Sequence, residues 1–326
     1  MASKDIKIGY IGLGSLGSAI FPNLIKYAQE QGLAPPSAWN RSQDKYAALN
    51  QEYPDIHTAK ELGELVRRSN VIFTCLVNDA AAEDVYTKIV EILRSTPGGV
   101  QKGSIVFADQ STLKAKTALK IKEQVESAGG VYLTTTVFGQ PPAARARQLV
   151  VVSSGDPKGR ERVLPLLEAI GKKVIDVGDD NAKGAALKIL GNSILLGAIE
   201  LYAESYALSD AIGFDPAVFH ELHKNLFAAP ALLNYSNKIS QGSFGDAGFT
   251  VKTGLKDAGH ILSLGEELGH PTPLPTVERA RQNLLKAVDL GAENLDWSAL
   301  SIAARAEAGL EPFKEGTDNG KKKAAQ

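Results

Sequence analysis

Two groups of residues in this 326-residue chain have the types and spacing that chemistry needs. The first is Gly12-Leu13-Gly14-Ser15-Leu16-Gly17, a G-x-G-x-x-G run that directly follows the β-branched stretch Ile6–Ile11 and opens an amphipathic segment. Gly12 permits a tight strand-to-helix turn, Gly14 lets the backbone approach a pyrophosphate, and Gly17 lets helix pack closely on strand. Ser15 and Leu16 lie in the same turn, where N–H groups and the positive end of a helix would hold the phosphates. At the distance of a second strand stands Trp39-Asn40-Arg41-Ser42. An NAD site would offer an acid there to the ribose 2′-hydroxyl. Here Arg41 can instead fork onto a 2′-phosphate, with Asn40 and Ser42 as further donors. The run implies NADP(H) rather than NAD(H). Two other readings stay open, Arg41 as a solvated strand-end residue and Asp44 as the ribose partner.

The second group is Lys188 and Asn192, four apart in helical sequence and so on one helix face. When hydride moves between a nicotinamide and a carbon bearing oxygen, a proton must move to or from that oxygen, and a lysine can carry it. Asn192 would hold the oxygen or an adjacent polar group. A helix lysine is ordinarily a surface residue, but Ala185, Ala186, Leu187, Ile189 and Leu190 leave little room for an exposed face around Lys188.

These residues need a scaffold, and the sequence supplies one. Strand candidates are Ile6–Ile11, Ser37–Trp39, Val71–Leu76, Ser104–Ala108, Val131–Thr135 and Leu149–Ser153. Helical patterns fall between them at 16–31, 42–51, 59–68, 80–93, 115–128 and 159–170. Alternation of this kind predicts a doubly wound, mostly parallel sheet, an α/β Rossmann domain over residues 1–180. From about Asn181 strand signals vanish, which predicts an all-α C-terminal domain over 181–311. It opens on one long helix over 182–212, followed by helices at 215–225, 232–241, 248–268, 275–291 and 297–308. Residues 312–326 lack apolar anchors and carry Lys321-Lys322-Lys323, and read as a disordered basic tail.

Composition narrows the function classes. With 44% apolar and 22% charged residues the chain suits a packed globular protein of two domains. A formal net charge of −1 gives no reason to expect nucleic acid or an anionic membrane as partner, which leaves small molecules. The single Cys75 excludes an intrachain disulfide and a cysteine-based zinc site, and its setting in an apolar run reads as a buried strand residue. No window reads as apolar enough to span a bilayer and the N-terminus lacks a signal region, so a cytoplasmic location is expected.

Together these motifs resemble the β-hydroxyacid dehydrogenase family, relatives of 3-hydroxyisobutyrate and 6-phosphogluconate dehydrogenases, over roughly residues 6–308. The resemblance also rests on Leu76-Val77-Asn78-Asp79, similar to the family's cofactor loop, and on Asp109-Gln110-Ser111-Thr112, similar to its D-x-S-T turn near the nicotinamide. Gly184 to Asn192 is similar to its K-x-x-x-N catalytic helix, and Gly254-Leu255-Lys256-Asp257 to its K-D motif. The resemblance implies cofactor contacts from Val77, Asn78, Thr112 and Lys256, substrate contacts from Ser111, and catalysis by Lys188 with Asn192. Family members carry D-A-P-V-S-G-G in the substrate loop. Here Phe138 stands for the serine and Gln140 for the second glycine, around Gly139. That loses a donor and makes a short hydroxy acid an uncertain substrate.

The resulting expectation is an NADP(H)-dependent oxidoreductase acting on a carbonyl or alcohol. An imine reductase and a non-catalytic NADP(H) sensor stand as alternatives. His220, Glu221 and His223 find no further ligand at metal spacing and read as surface or subunit-contact residues, with no metal expected. Phe244 and Phe249 are candidates for a substrate cleft, with Phe227 and Trp297 behind them. The apolar tract Ile194–Ala207 suggests a homodimer or larger assembly.

Overall fold

The computed structural model describes residues 5–227, 229–245 and 247–314. The chain forms two compact units, Met1–Lys188 and Ile189–Gln326, and the division falls inside one continuous helix. The expected boundary at 180/181 coincides with the start of that helix.

The first unit opens with β1 (Ile8–Ile11), α1 (Gly17–Gln31), β2 (Ser37–Trp39), α2 (Tyr46–Glu52), β3 (His57–Thr58), α3 (Leu62–Arg68) and β4 (Val71–Thr74). It continues with α4 (Asp79–Arg94), β5 (Val106–Asp109), α5 (Ala115–Ser127), β6 (Val131–Thr134) and β7 (Val137–Phe138). It closes with α6 (Pro141–Arg145), β8 (Leu149–Gly155), α7 (Pro157–Ile170), β9 (Gly171–Gly178) and the first turns of α8 (Asn181–Ala211). The strands make one sheet in the order β3-β2-β1-β4-β5-β6-β8-β7, with β9 joined to β8. Neighbours are parallel except β8 against β6 and β7. Every residue of β1, β4 and β5 is buried, as strands with helices on both faces must be. Ile8, Tyr10, Phe21, Leu24, Val71 and Phe73 belong to the resulting core.

Among the described residues nine strands replace the six expected. β3 and β7 are two residues each, too short to show a period. β9 pairs only with β8 and exposes Lys172, Lys173 and Asp176, so its sequence lacks the apolar alternation of a half-buried strand. β4 ends at Thr74, which places Cys75 in the loop beyond it, half-buried rather than within a strand.

The second unit continues α8 and adds α9 (Pro216–Leu226), α10 (Pro230–Gln241), α11 (Val251–Glu267), α12 (Pro275–Asp289), a 3-10 turn at Trp297–Leu300 and α13 (Ser301–Glu307). α11 packs on α12, α12 on α13, and α9 on α10. Trp297 is fully buried, with Tyr235 and Phe249 against its ring, and Phe244 is buried nearby in the core. Phe244 is thus part of the packed interior, and Phe249 is half-buried against Trp297. His223 is no surface residue either. It is buried among Tyr202, Tyr206, Phe219 and Phe227, and His220 Nδ1 lies 2.9 Å from Ser236 Oγ. Among the described residues no group of three or more His, Cys, Asp or Glu is arranged to hold a metal.

One reading of the sequence is corrected by α8. The helix is long and apolar enough to cross a membrane by length and composition, with 39% of its most apolar window buried. It is apolar on two faces: Leu196, Ile199, Ala203 and Tyr206 are buried, whereas Ile194, Leu201 and Leu208 are exposed. Of the expected disordered tail, residues 315–326 lie outside the described residues.

Candidate active site

Glycine fixes the β1–α1 turn at two positions for internal reasons and at a third for none. Gly12 has φ of 97°, and a Cβ there would meet the Cys75 carbonyl oxygen at 2.3 Å. A Cβ on Gly17 would strike the Gly12 carbonyl oxygen at 2.0 Å. Gly14 has ordinary φ and nothing within 4 Å of its virtual Cβ, so the protein's own packing does not demand glycine there. A ligand that comes close to the backbone does demand it, and a dinucleotide pyrophosphate is such a ligand. Helix α1 begins without a side-chain cap and without an acidic residue in its first turn, which leaves its positive end available to an anion. Ser15 beside it is exposed and Leu16 rests partly on the core.

Asn40 ties this turn to the end of β2. Its Oδ1 accepts the Leu13 N–H at 2.9 Å while its Nδ2 donates to the Ser42 carbonyl at 2.7 Å. Asn40 thus shapes the loop through its oxygen and one of its two side-chain N–H groups. Lys45, which the sequence did not single out, donates to the Leu13 carbonyl at 2.8 Å and brings a cation to the glycine turn. Arg41 and Ser42 are exposed beside them, as is Asp44.

The loop between β4 and α4 carries Val77, 67% exposed, and Asn78, whose side chain caps α4 by accepting the Ala81 N–H at 2.9 Å. It is fastened to the end of β5, where Ser111 Oγ accepts the Leu76 N–H at 2.8 Å. Behind Ser111 lies Asp109, 1% exposed. Its Oδ1 receives Thr74 Oγ1 at 2.8 Å and the Ser111 N–H at 2.9 Å, and its Oδ2 receives the Tyr132 hydroxyl at 2.8 Å. Burial pushes the Asp109 carboxyl above its ordinary value, against the pull of these donors. Thr112 is half-buried next to them.

Lys188 is set by the first turns of α8. Asn181 bonds Thr134 Oγ1 at 3.2 Å, and a Cβ on Gly184 would strike Ser154 Oγ at 2.1 Å, so the helix starts pressed onto β6 and β8. Two turns on, Lys188 is 9% exposed, with Nζ 4.1 Å from the centre of the Phe138 ring. The ring is held by β7, where Phe138 pairs with Val150. Gly139 follows with φ of 137° and is exposed, and Gln140 is half-buried ahead of the two prolines that start α6. A lysine ammonium over an aromatic face makes a cation–π pairing.

In the second unit Asn192, buried, donates Nδ2 to Asp257 Oδ2 at 2.5 Å, and Lys256 Nζ lies 3.0 Å from Oδ1 of the same carboxylate. Thr250 caps α11, and its bridge to Asp296 fixes where that helix starts. Lys252, one turn before Lys256, pairs instead with Glu293 in solvent. Asp109, Asp257 and Lys45 are the residues sequence reasoning passed over. The first two stood inside quoted motifs without a role of their own.

Residues 7–178 match the pattern of the NAD binding domain of 6-phosphogluconate dehydrogenase, more than half of the chain. The chain belongs to that family. Members of similar length agree. The NADH-dependent oxidoreductase ucdB of Aspergillus ustus is 28% identical over 93% of this chain and all of its own. Glyoxylate/succinic semialdehyde reductase 1 of Arabidopsis thaliana is 26% identical over 92% and 99%. Among solved structures, 3-hydroxyisobutyrate dehydrogenase (ygbJ) of Salmonella typhimurium superposes with a TM-score of 0.76 at 21% identity, over 91% of this chain and 99% of the other. The chain is thus an NAD(P)-binding oxidoreductase of the 6-phosphogluconate dehydrogenase family, with the Rossmann sheet and helical C-terminal region of that fold.

Proposed function

We propose that this protein is an NADP(H)-dependent reductase of carbonyl compounds, with Lys188 as the proton donor and, in the reverse direction, the acceptor. The observation that carries the reading is the buried ammonium of Lys188 over the Phe138 ring, on the helix that leaves the dinucleotide domain. Bound nicotinamide supplies the hydride. As charge develops on the carbonyl oxygen, Lys188 delivers a proton to it. Asn192, its amide held by Asp257, keeps a neighbouring polar group of the substrate in place. The glycine turn, Asn78, Val77, Thr112 and Lys256 form the cofactor-binding set, and Phe138, Gly139 and Gln140 the substrate loop.

NADP(H) is preferred to NAD(H) in this reading because Arg41 stands exposed at the end of β2 where an acid would otherwise meet the ribose. The relative ucdB is described as NADH-dependent, so the choice is tested directly. Oxidation of NADPH and of NADH is measured against semialdehyde acids, neutral aldehydes and cyclic imines. Carbonyl reduction with NADPH at a kcat/KM at least about tenfold above NADH is the expected result. A preference for NADH overturns the cofactor assignment. Turnover of imines alone overturns the substrate assignment in favour of an imine reductase, a second reading that the apolar Phe138 face favours.

The exposed face of α8, with Leu190, Ile194, Leu201, Leu208 and Ile212, is proposed to pack on a second copy as a homodimer. Sedimentation at micromolar concentration should show twice the 34.6 kDa chain mass, and a monomer there contradicts the assignment.

A further inference from the structure

We propose that Asp109 and Ser111 are positioning residues of one device that fastens the loop over residues 75–78, so that Ser111 serves the cofactor rather than touching substrate. The proposal rests on the reading of this loop as part of a dinucleotide site.

The side-chain oxygen and the backbone N–H of Ser111 are already engaged. Its Oγ accepts the Leu76 N–H at 2.8 Å, and its own N–H donates to Asp109 Oδ1 at 2.9 Å. Ser111 is buried, so nothing about it is poised toward solvent.

Asp109 holds the serine because every donor around it points inward. Thr74, at the end of β4, donates to Oδ1, and since that hydroxyl proton is spent, Tyr86 from α4 donates to Thr74 Oγ1 at 2.9 Å. Tyr132 from β6 supplies Oδ2. The carboxylate thus joins the ends of three adjacent strands, β4, β5 and β6, and Ser111 passes that rigidity to the Leu76 amide. The far side of the loop is fastened separately: Asp79 Oδ1 accepts the Lys114 N–H at 3.0 Å. Between the two fastenings stand Val77 and Asn78. A carboxylate removed from water is retained at a price only if its donors are complete, and three strands converge here to complete them.

Ser111→Ala leaves the Leu76 N–H without its acceptor, whereas Asp109→Asn keeps the shape and removes the charge. Hydrogen exchange of the peptide covering residues 75–79, measured in the protein without cofactor, is expected to be at least about tenfold faster in both variants. NADPH affinity, read by fluorescence or calorimetry, is expected to weaken by about tenfold in each, and the double variant should be no weaker than the worse single one. Should Asp109→Asn fail to fold, Tyr132→Phe removes one donor to the same carboxylate and should speed exchange of the same peptide. Unchanged exchange in Ser111→Ala overturns the device. Losses that add in the double variant overturn the shared action of the two residues. Wild type that binds neither NADPH nor NADH overturns the dinucleotide reading and leaves the exchange experiment to decide the fastening by itself.

Discussion

The side-chain amide nitrogen of Asn192 stands 2.5 Å from Oδ2 of Asp257, and Oδ1 of that carboxylate lies 3.0 Å from Lys256 Nζ. One buried acid therefore fixes which way the Asn192 amide is turned and holds the Lys256 ammonium. Without Asp257 the amide loses this acceptor and the lysine loses this ion pair. Asp257→Asn is expected to lower kcat/KM by at least about tenfold, since a charge-assisted bond to a buried group is lost. Steady-state kinetics on a folded variant decide it, and wild-type kcat/KM would show that Asn192 needs no such partner.

The glycine turn separates folding from binding. Gly14→Ala places a methyl in open space at ordinary φ, so thermal unfolding should move by no more than about 2 °C. NADPH binding should nevertheless weaken about tenfold or more, because the methyl stands where the pyrophosphate approaches. Gly17→Ala, whose Cβ meets the Gly12 carbonyl, should lower the unfolding temperature instead. Equal losses of stability in the two variants would contradict the argument.

Arg41→Ala should raise the KM for NADPH by roughly 10- to 100-fold, the worth of a charge-assisted bond to phosphate, and leave the KM for NADH within about twofold. Measured with both cofactors, a parallel rise in the two values would return Arg41 to the status of a solvated strand-end residue.

Stability should depend on pH through Glu200. It is 2% exposed on α8, where Asn283 Nδ2 donates to its Oε1 at 2.6 Å, with Arg279, Glu204 and Glu307 as its charged neighbours. Burial first, and then repulsion from Glu204, push its carboxyl up to about 7, against the pull of Arg279 and Asn283. A carboxyl raised on folding binds its proton more tightly in the native state, so its contribution is present at low pH and is lost as pH rises through about 7. Oε2 and Asn283 Oδ1 have no hydrogen-bond partner among the described residues, and a proton on Oε2 supplies a donor between them. The melting temperature should fall between pH 6 and pH 8, by about 2–4 °C for each kcal/mol, and Glu200→Gln should flatten that fall. The same slope in the variant would place the effect elsewhere.

Much of this was legible in the sequence because it was local. Gly12 to Gly17 sits between a buried strand and a helix start, and the four-residue spacing of Lys188 and Asn192 needs only a helix. What escaped was non-local or short. Asp109 and Asp257 show their purpose only once β4 and β6, or α8 and α11, bring donors to them. Asn40 reads only as a donor until the fold shows its oxygen accepting the Leu13 N–H. Phe138 shows in the sequence as a departure from the family's substrate loop, but not that its ring lies under Lys188. β9 escaped because its exposed charges hide any alternation, and the apolar tract of α8 does not show by itself which of its faces is buried.

The central claim is that Lys188 moves the proton, and the decisive measurement is carbonyl reduction with NADPH by Lys188→Ala beside NADPH affinity of the same variant. The account predicts a loss of kcat on the order of 10²- to 10⁴-fold with NADPH affinity changed by no more than about threefold. Wild-type turnover in Lys188→Ala would contradict it.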